Sequence, residues 1–221
     1  MGIDLLFELG MEEVPSEPLK SMLGQVEQNV KKYLSLYNIK YKKSRVLATP
    51  RRIVLFIENC SETQKDSALE VKGPPKKAAF DSEGKPTKAA DGFSKSQKIK
   101  VTDLVIKEVE GGEYVFAIKK EKGKETFSLL PEILKKVVLD IKFSKAMRWD
   151  EGHTRFIRPI RWMLALWGNK IIPIKIDTIK SSDKTYGHRF LSEKTIKIKN
   201  ASGYFNKIKE NNVVVDQKER A

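Results

Sequence analysis

The sequence is poor in the residues and motifs that most often carry chemistry. It has one cysteine, Cys60, and two histidines, which excludes an internal disulfide and a zinc site built from Cys and His alone. It contains no Gly-x-x-x-x-Gly-Lys, Gly-x-Gly-x-x-Gly, Gly-x-Ser-x-Gly or Cys-x-x-Cys, so the usual nucleotide-binding and nucleophile motifs are absent. We therefore predict no catalytic residue and no metal in this chain.

Long apolar runs are also missing. No stretch approaches the roughly eighteen consecutive apolar residues that a membrane-spanning helix needs, and the first ten residues carry Asp4 and Glu8 where a signal peptide would be basic. Together with the single cysteine, these absences predict a cytoplasmic protein with no membrane partner. The 40% of hydrophobic residues among 221 is enough to bury the core of one large or two small domains.

Positive charge is what the chain has in excess. Its 43 Lys and Arg against 29 Asp and Glu give a net charge of +14. Residues 1–17 hold five acids and no Lys or Arg, so the positive charge is concentrated in the remainder. Such a field favours nucleic acid, because neutralised phosphates release condensed counterions. The alternative is a protein whose whole surface is rich in Lys, with charge unrelated to function.

The spacing of apolar residues predicts strands and helices that alternate along the chain. We predict strands or hairpin arms at 3–9, 45–48, 53–57, 101–109, 114–119, 158–167, 170–176 and 195–198. Helices are predicted to begin near Ser16, Thr87, Ser128 and Ala201, and at Asp216 as an N-cap. A natural chain end seldom falls at a helix start, which predicts that this chain is a fragment.

These elements predict an α+β fold with a mixed, mainly antiparallel sheet and flanking helices. The Gly-, Pro-, Lys- and Ser-rich stretch 73–100 is predicted to be an irregular basic excursion or boundary. It would separate an N-terminal part, 1–72, from a second α+β part, 101–221.

Arginines interleave with aromatic residues in the segment 143–167, which contains all three tryptophans. Arg forks onto phosphate, and aromatic rings stack on unpaired bases. For Trp162 and Trp167 we favour a second interpretation, that they belong to the core of a hairpin. The corresponding alternative for the arginines is that they are surface or internal ion-pair partners of the acidic N-terminus. The candidates for RNA or interface contacts are Arg51, Arg52, Lys145, Arg148, Arg155, Arg158, Arg161, His188 and Arg189.

Several short motifs resemble, in order, those of the beta subunit of bacterial heterotetrameric glycyl-tRNA synthetase. They are Phe7-Glu8-Leu9 with Glu12-Glu13-Val14-Pro15, Thr49-Pro50-Arg51-Arg52-Ile53, Lys72-Gly73-Pro74, Phe80-Asp81 through Gly92-Phe93, Lys145-Ala146-Met147-Arg148-Trp149, Phe156-Ile157-Arg158-Pro159-Ile160-Arg161-Trp162 and Gly187-His188-Arg189-Phe190. The departures are small: Met11, Lys72 and Phe93 stand where the family more commonly has threonine, arginine and tryptophan.

The resemblance implies an enzyme of two alpha and two beta chains that joins glycine to tRNA(Gly) with ATP and Mg²⁺. It places the aminoacylation site on the alpha subunit. It gives the beta subunit an N-terminal B3/B4-like region of the phenylalanyl-tRNA synthetase type, then HD-like and anticodon-binding domains. This chain would then bind tRNA on its acceptor side and contribute to subunit assembly. Two alternatives remain: a protein-interaction module with incidental charge, or an editing-type aminoacyl-tRNA hydrolase.

Overall fold

The computed structural model describes residues 2–109, 111–148, 152, 154–192 and 195–220. Its strands are β1 (Ile3–Met11), β2 (Lys43–Thr49), β3 (Arg52–Cys60), β4 (Ser67–Pro75), β5 (Leu104–Val109), β6 (Gly112–Glu121), β7 (Ile160–Trp167), β8 (Lys170–Ile171), β9 (Lys175–Ile176), β10 (Ile179–Ser182), β11 (Lys184–Thr185) and β12 (Ile196–Lys197). Its helices are α1 (Ser16–Leu36), α2 (Lys76–Ala79), α3 (Lys88–Gln97), α4 (Thr126–Leu139), α5 (Tyr204–Lys209) and α6 (Gln217–Arg220).

These elements form two compact units. The first comprises the chain up to Gln64 and from Lys124 onward, and the second is Lys65–Gly123. This differs from the division at 1–72, 73–100 and 101–221 expected from composition. The reason is strand pairing: β4 begins at Ser67, before the composition changes, and pairs along its length with β6.

The first unit is built on one sheet with strand order β2-β3-β1-β7-β10-β9, and β8 pairs with β7. β1 is antiparallel to both of its neighbours, whereas β10 runs parallel to β7. The mixed, mainly antiparallel α+β architecture is therefore confirmed. The predicted turn at 49–52 joins β2 to β3.

Both faces of this sheet are covered, as the alternation along β1 shows. Leu5, Phe7 and Leu9 belong to a core shared with α1 and α4, whereas Leu6 belongs to a second core shared with α5 and β12. Successive side chains of a strand point to opposite faces. Glu8 therefore lies on the same face as Leu6, although it is charged and fully buried.

The two long helices are amphipathic, as predicted. α1 buries a stripe from Met22 to Leu34, and α4 buries one from Leu130 to Val138. α4 begins at Thr126 rather than near Ser128, because the Thr126 backbone N–H is held by the carbonyl of Glu62 at 2.8 Å.

The second unit is a three-stranded antiparallel sheet in the order β4-β6-β5. The predicted hairpin around Gly112 is confirmed as β5 and β6. The stretch 73–100 is more regular than predicted, because Ala79 and Ala90 on its two helices pack with Val115 of β6 in a small core. Thr87 caps α3 as expected, accepting a hydrogen bond from the Ala89 N–H at 3.2 Å.

The predicted hairpin after residue 158 is confirmed only near its turn. β7 pairs with the two-residue strand β8, and Lys175–Ile176 instead pairs with β10. The strand expected at 195–198 is β12, and α5 begins at Tyr204 rather than near Ala201. Asp216 caps α6, since its Oδ1 accepts from the Lys218 N–H at 2.9 Å.

Candidate nucleic-acid interface

A glycine and a tryptophan meet on the face of the sheet that carries Glu8. Gly10 is opposite Trp162 in the pairing of β1 with β7, and opposite Arg52 in the pairing of β1 with β3. A Cβ at Gly10 would lie 1.9 Å from Trp162 Cε2, so only glycine leaves room for the indole. The seated indole donates a hydrogen bond from Nε1 to Glu8 Oε1 at 2.5 Å.

Glu8 is the centre of a buried polar network. Its Oε1 also accepts from the Thr185 hydroxyl at 2.6 Å and from Arg52 Nη1 at 3.5 Å. Its Oε2 accepts from the Tyr204 hydroxyl. Arg52, only 2% exposed, donates in addition to Thr185 Oγ1 at 3.3 Å. Because a buried charge is tolerated only when it is paired and hydrogen-bonded, the carboxylate and guanidinium depend on each other.

The same surroundings keep the Tyr204 hydroxyl protonated. Burial raises the pKa of Tyr204 well above its ordinary value, the negative charge of Glu8 acts in the same direction, and Arg52 opposes them. Tyr204 therefore remains a hydrogen-bond donor to Glu8 throughout the neutral range.

The turn at 49–52 is held in place by backbone hydrogen bonds in addition to the buried network around Glu8. The Met11 N–H donates to the Arg51 carbonyl at 2.9 Å, and the Val14 N–H donates to the Pro50 carbonyl at 2.8 Å. The acidic loop 12–15 therefore runs along this turn and holds Arg51 in place.

The acidic loop also contacts the chain at the start of β7. The Glu12 N–H donates to the Pro159 carbonyl at 3.1 Å, and the Glu12 carboxylate lies 3.3 Å from Arg161 Nε. Arg158 Nε donates to the Glu13 carbonyl at 3.1 Å. Two of the predicted arginines thus lie beside the acidic loop, each with one contact to it.

The loop 186–192 begins directly after Thr185, which is part of the buried network around Glu8. The His188 N–H donates to the Asn211 carbonyl at 3.0 Å, and the Ser192 hydroxyl donates to the same oxygen. A Cβ at Gly187 would lie 2.5 Å from the Ser192 Cβ. Glycine is therefore needed for the loop to close on itself.

This loop displays aromatic and apolar side chains to solvent. Phe190 is 84% exposed, Leu191 is 68% exposed, and Tyr186 is 39% exposed. The Arg189 guanidinium carbon lies 5.7 Å from the centre of the Phe190 ring. Tyr186 packs edge-on against Trp162 with ring centres 4.8 Å apart, which joins the loop to the buried indole.

Two cavities adjoin the turn and the loop. The first cavity, of about 380 Å³, is lined by Glu13, Thr49, Pro50, Arg51, Arg52, Gly187, His188, Arg189, Phe190, Asn212, Val213, Val214 and Arg220. The second cavity, of about 450 Å³, is lined by Glu12, Arg51, Ile160, Arg161, Trp162, Ile179, Tyr186 and Arg189. Arg51 and Arg189 line both. We call the surface around the two cavities the basic cluster.

Four of the nine candidates from the sequence meet at the basic cluster with exposed or half-buried side chains: Arg51, Arg161, His188 and Arg189. Arg52 also lines the first cavity, but it is buried against Glu8, which favours the internal ion-pair interpretation for this residue. Arg158 reaches the Glu13 carbonyl beside the first cavity.

The remaining candidates lie on a different segment. Lys145, Arg148 and Arg155 are exposed, and Arg155 Nη2 donates to the Ala146 carbonyl at 3.1 Å. They line neither cavity among the described residues. Their role in RNA contact stays a prediction.

Three aromatic side chains of the segment 143–167 lie inside the fold. Trp162, Trp167 and Phe156 are buried, which confirms the hairpin-core interpretation for the two tryptophans. Trp149 lies outside the described residues.

Three contributors to the site were not singled out from the sequence. Arg220 lines the first cavity and donates from Nη2 to the Ala48 carbonyl at 2.9 Å, but nothing in its local sequence links it to Ala48, which lies 172 residues earlier. Tyr186 likewise gave no signal. Glu8, in contrast, has a signal in the sequence. It is an acid within the apolar run 5–9, two residues after Leu6 and so on the same face of the strand, and a charge in such a position needs a buried partner.

Comparisons with known proteins show which family carries these motifs. A family profile described as "Glycyl-tRNA synthetase beta subunit" matches residues 5–221. The chain belongs to this family. It is 44% identical over 220 of its 221 residues to the glycine–tRNA ligase beta subunit of Moorella thermoacetica. It is 43% identical over 213 residues, 96% of its length, to that of Bacillus subtilis.

Membership in the glycyl-tRNA synthetase beta-subunit family comes with a difference in length. The chain covers 32% of the Moorella thermoacetica protein and 31% of the Bacillus subtilis protein. Within the described part of the chain, no helix is long and apolar enough to cross a membrane, and no group of three or more His, Cys, Asp and Glu is arranged to hold a metal ion.

Proposed function

We propose that this chain is the part of a glycine–tRNA ligase beta subunit that holds tRNA(Gly) on its acceptor side. The observation that carries the proposal is the meeting of Arg51, Arg161, His188 and Arg189 around two adjoining cavities. These residues come from three separated motifs of the sequence, and the fold brings them to one surface. The net charge of +14 adds a long-range field that attracts a polyanion.

Holding tRNA requires shape and charge rather than a nucleophile. In this proposal the alpha subunit carries out aminoacylation and holds ATP and Mg²⁺, and the assembled ligase acts in the cytoplasm. This chain contributes tRNA contacts and part of the assembly with the alpha subunit and with the HD-like and anticodon-binding domains of the beta subunit.

The test is a titration of tRNA(Gly) into the alpha–beta complex at low and at physiological salt. We expect affinity to fall steeply with salt, because each neutralised phosphate releases counterions. We also expect tRNA that lacks its unpaired acceptor end to bind more weakly than intact tRNA. Equal affinity for the two tRNAs would contradict the acceptor-side assignment, and a flat salt response would contradict phosphate recognition.

A second candidate function, docking of other protein parts, is favoured by the exposed apolar side chains of Phe190 and Leu191. Large exposed apolar groups often mark protein interfaces. If docking were the role of this surface, Phe190→Ala would weaken assembly of the alpha–beta complex. In the RNA-binding proposal the same change leaves assembly intact and weakens tRNA binding.

A further inference from the structure

We propose that the two cavities of the basic cluster form a binding site for one nucleotide of unpaired RNA, with its phosphate between Arg51 and Arg189 and its base on Phe190. The inference rests on the proposed function, since it names the part of the RNA that the cluster receives. Arg51 and Arg189 are the cations that line both cavities. A group lying where the cavities adjoin is therefore next to both of these residues.

Two arginines of the first cavity have a donor that no described residue satisfies. The Nε atoms of Arg45, Arg51 and Arg52 are buried and have no hydrogen-bond partner among the described residues, and of these three Arg51 and Arg52 line the first cavity. Buried donors are nearly always satisfied, and Arg52 is 98% removed from solvent while lining the first cavity. A phosphate oxygen entering this cavity supplies an acceptor of the charge that guanidinium groups prefer.

The balance of charge around the first cavity also favours an anion. Its lining includes Arg51, Arg52, Arg189 and Arg220 against one acid, Glu13. The buried Glu8 neutralises Arg52, which leaves an excess of positive charge at the mouth. An acidic protein segment would satisfy the charge, but it would make no use of the exposed aromatic ring beside the cavity.

That ring is Phe190, next to Arg189 in the chain and 84% exposed. A phenyl group this exposed adds little to the core, but it offers a flat face on which a base can stack. The Arg189 guanidinium lies close to the Phe190 ring. A nucleotide carries its phosphate and its base at a similarly short separation, so one nucleotide can contact both side chains. In a duplex the base faces are covered by neighbouring bases, so the site selects unpaired RNA.

The experiment measures binding of a fluorescein-labelled single-stranded RNA hexanucleotide to the alpha–beta complex of the proposed function. The variants are Phe190→Ala and Arg189→Ala. Each has a matched control on α1, which packs on the opposite face of the sheet: Leu36→Ala, where the side chain is 66% exposed, and Lys20→Ala, which removes the same charge from an exposed position. Intact tRNA(Gly) is titrated in parallel.

We expect Phe190→Ala to weaken hexanucleotide binding about 5-fold or more, the equivalent of one lost stacking contact, without changing its salt dependence. Arg189→Ala should weaken binding and lower the slope of log affinity against log salt by about 0.7. The two control variants should bind as the unmodified protein does, and the hexanucleotide annealed to its complement should compete poorly.

Two outcomes would overturn the site. One is equal weakening by Arg189→Ala and Lys20→Ala, which would mean a diffuse field. The other is loss of alpha–beta assembly in Phe190→Ala with RNA binding unchanged, which would mean a protein-docking surface. If tRNA(Gly) binds with steep salt dependence while neither variant matters, only this inference fails; if tRNA(Gly) does not bind at all, the proposed function fails as well.

Discussion

Trp162 and Glu8 lie diagonally on neighbouring strands, and the indole Nε1 of one donates to the carboxylate Oε1 of the other at 2.5 Å. This contact joins β1 to β7, the strand in which the arginine-rich segment 143–167 ends. Through Thr185 and Arg52 the same carboxylate joins the loop 186–192 to the turn at 49–52. The walls of the two cavities are therefore anchored to one buried acid.

The position of the Trp162 indole can be tested by occupying the space that Gly10 leaves for it. Gly10→Ala would place a Cβ 1.9 Å from the Trp162 ring, so the indole must move away from Glu8. We expect a loss of about 3 kcal/mol or more in the free energy of unfolding, from overpacking and from a charged hydrogen bond broken in the interior. Chemical denaturation measures it.

Gly24→Ala is the matched control for Gly10→Ala. Gly24 lies within α1, and a Cβ there would meet no atom within 4 Å. Because glycine is less favourable than alanine inside a helix, this change should stabilise the protein by about 0.5 to 1 kcal/mol. A loss of stability in Gly10→Ala no larger than a few tenths of a kcal/mol would mean that the indole has another place to go.

The buried acid can be tested by removing its charge. Glu8→Gln keeps the shape but leaves Arg52 buried without a countercharge and gives the Tyr204 hydroxyl a poorer acceptor. We expect a loss of about 3 to 5 kcal/mol in the free energy of unfolding. Glu12→Gln is the surface equivalent, since Glu12 pairs with Arg161 where the two side chains are 40% and 59% exposed. It should cost less than about 1 kcal/mol, and similar losses in the two variants would contradict the role given to Glu8.

The sequence predicted the architecture of the first unit well because apolar spacing reports burial directly. The stripe of α1 from Met22 to Leu34 and the alternation in β1 follow from packing against one core on each face. The stretch 73–100 was harder, because its short helices rest on a small core of Ala79, Ala90 and Val115. Few and small apolar side chains leave little periodicity to detect.

The candidate site was predicted only in part, for a related physical reason. Composition shows where the arginines are in the sequence, but it does not show which of them pair with a buried acid in the folded chain. Arg51 and Arg52 are neighbours in one turn, yet alternation sends Arg52 inward to Glu8 while Arg51 lines the cavities. Partners 44 and 177 residues apart, such as Arg52 and Thr185 for Glu8, come together only through the register of the strands.

The single cysteine gives a prediction for alkaline pH. Burial raises the pKa of the Cys60 thiol from 9.0 to about 12. Since the folded-state pKa is raised, the contribution of this thiol is complete below about pH 9 and is lost as pH rises towards 12, because the unfolded chain releases its proton first. By this route stability should fall by up to roughly 4 kcal/mol.

Cys60→Ala isolates this effect. The variant should be less stable than the unmodified protein at pH 8, because a small cavity replaces the sulfur. The difference in unfolding free energy between the two proteins should then shrink between pH 9 and 12. A difference that stays constant over this range would show that the thiol ionises equally in both states.

The last prediction separates the structural arginine from the surface ones. Arg161 is exposed, pairs only with Glu12 among the described residues and lines the second cavity. Arg161→Ala should therefore change the free energy of unfolding by less than about 1 kcal/mol while weakening tRNA binding and flattening its salt dependence. Arg52→Ala, in contrast, should lower the free energy of unfolding by about 3 to 5 kcal/mol, because Glu8 is left buried and unpaired. Chemical denaturation and tRNA titration of the two variants check both predictions. If Arg161→Ala unfolds the protein, its guanidinium is a structural partner of the acidic loop, and the proposed RNA contacts of the basic cluster would rest on Arg51, His188 and Arg189.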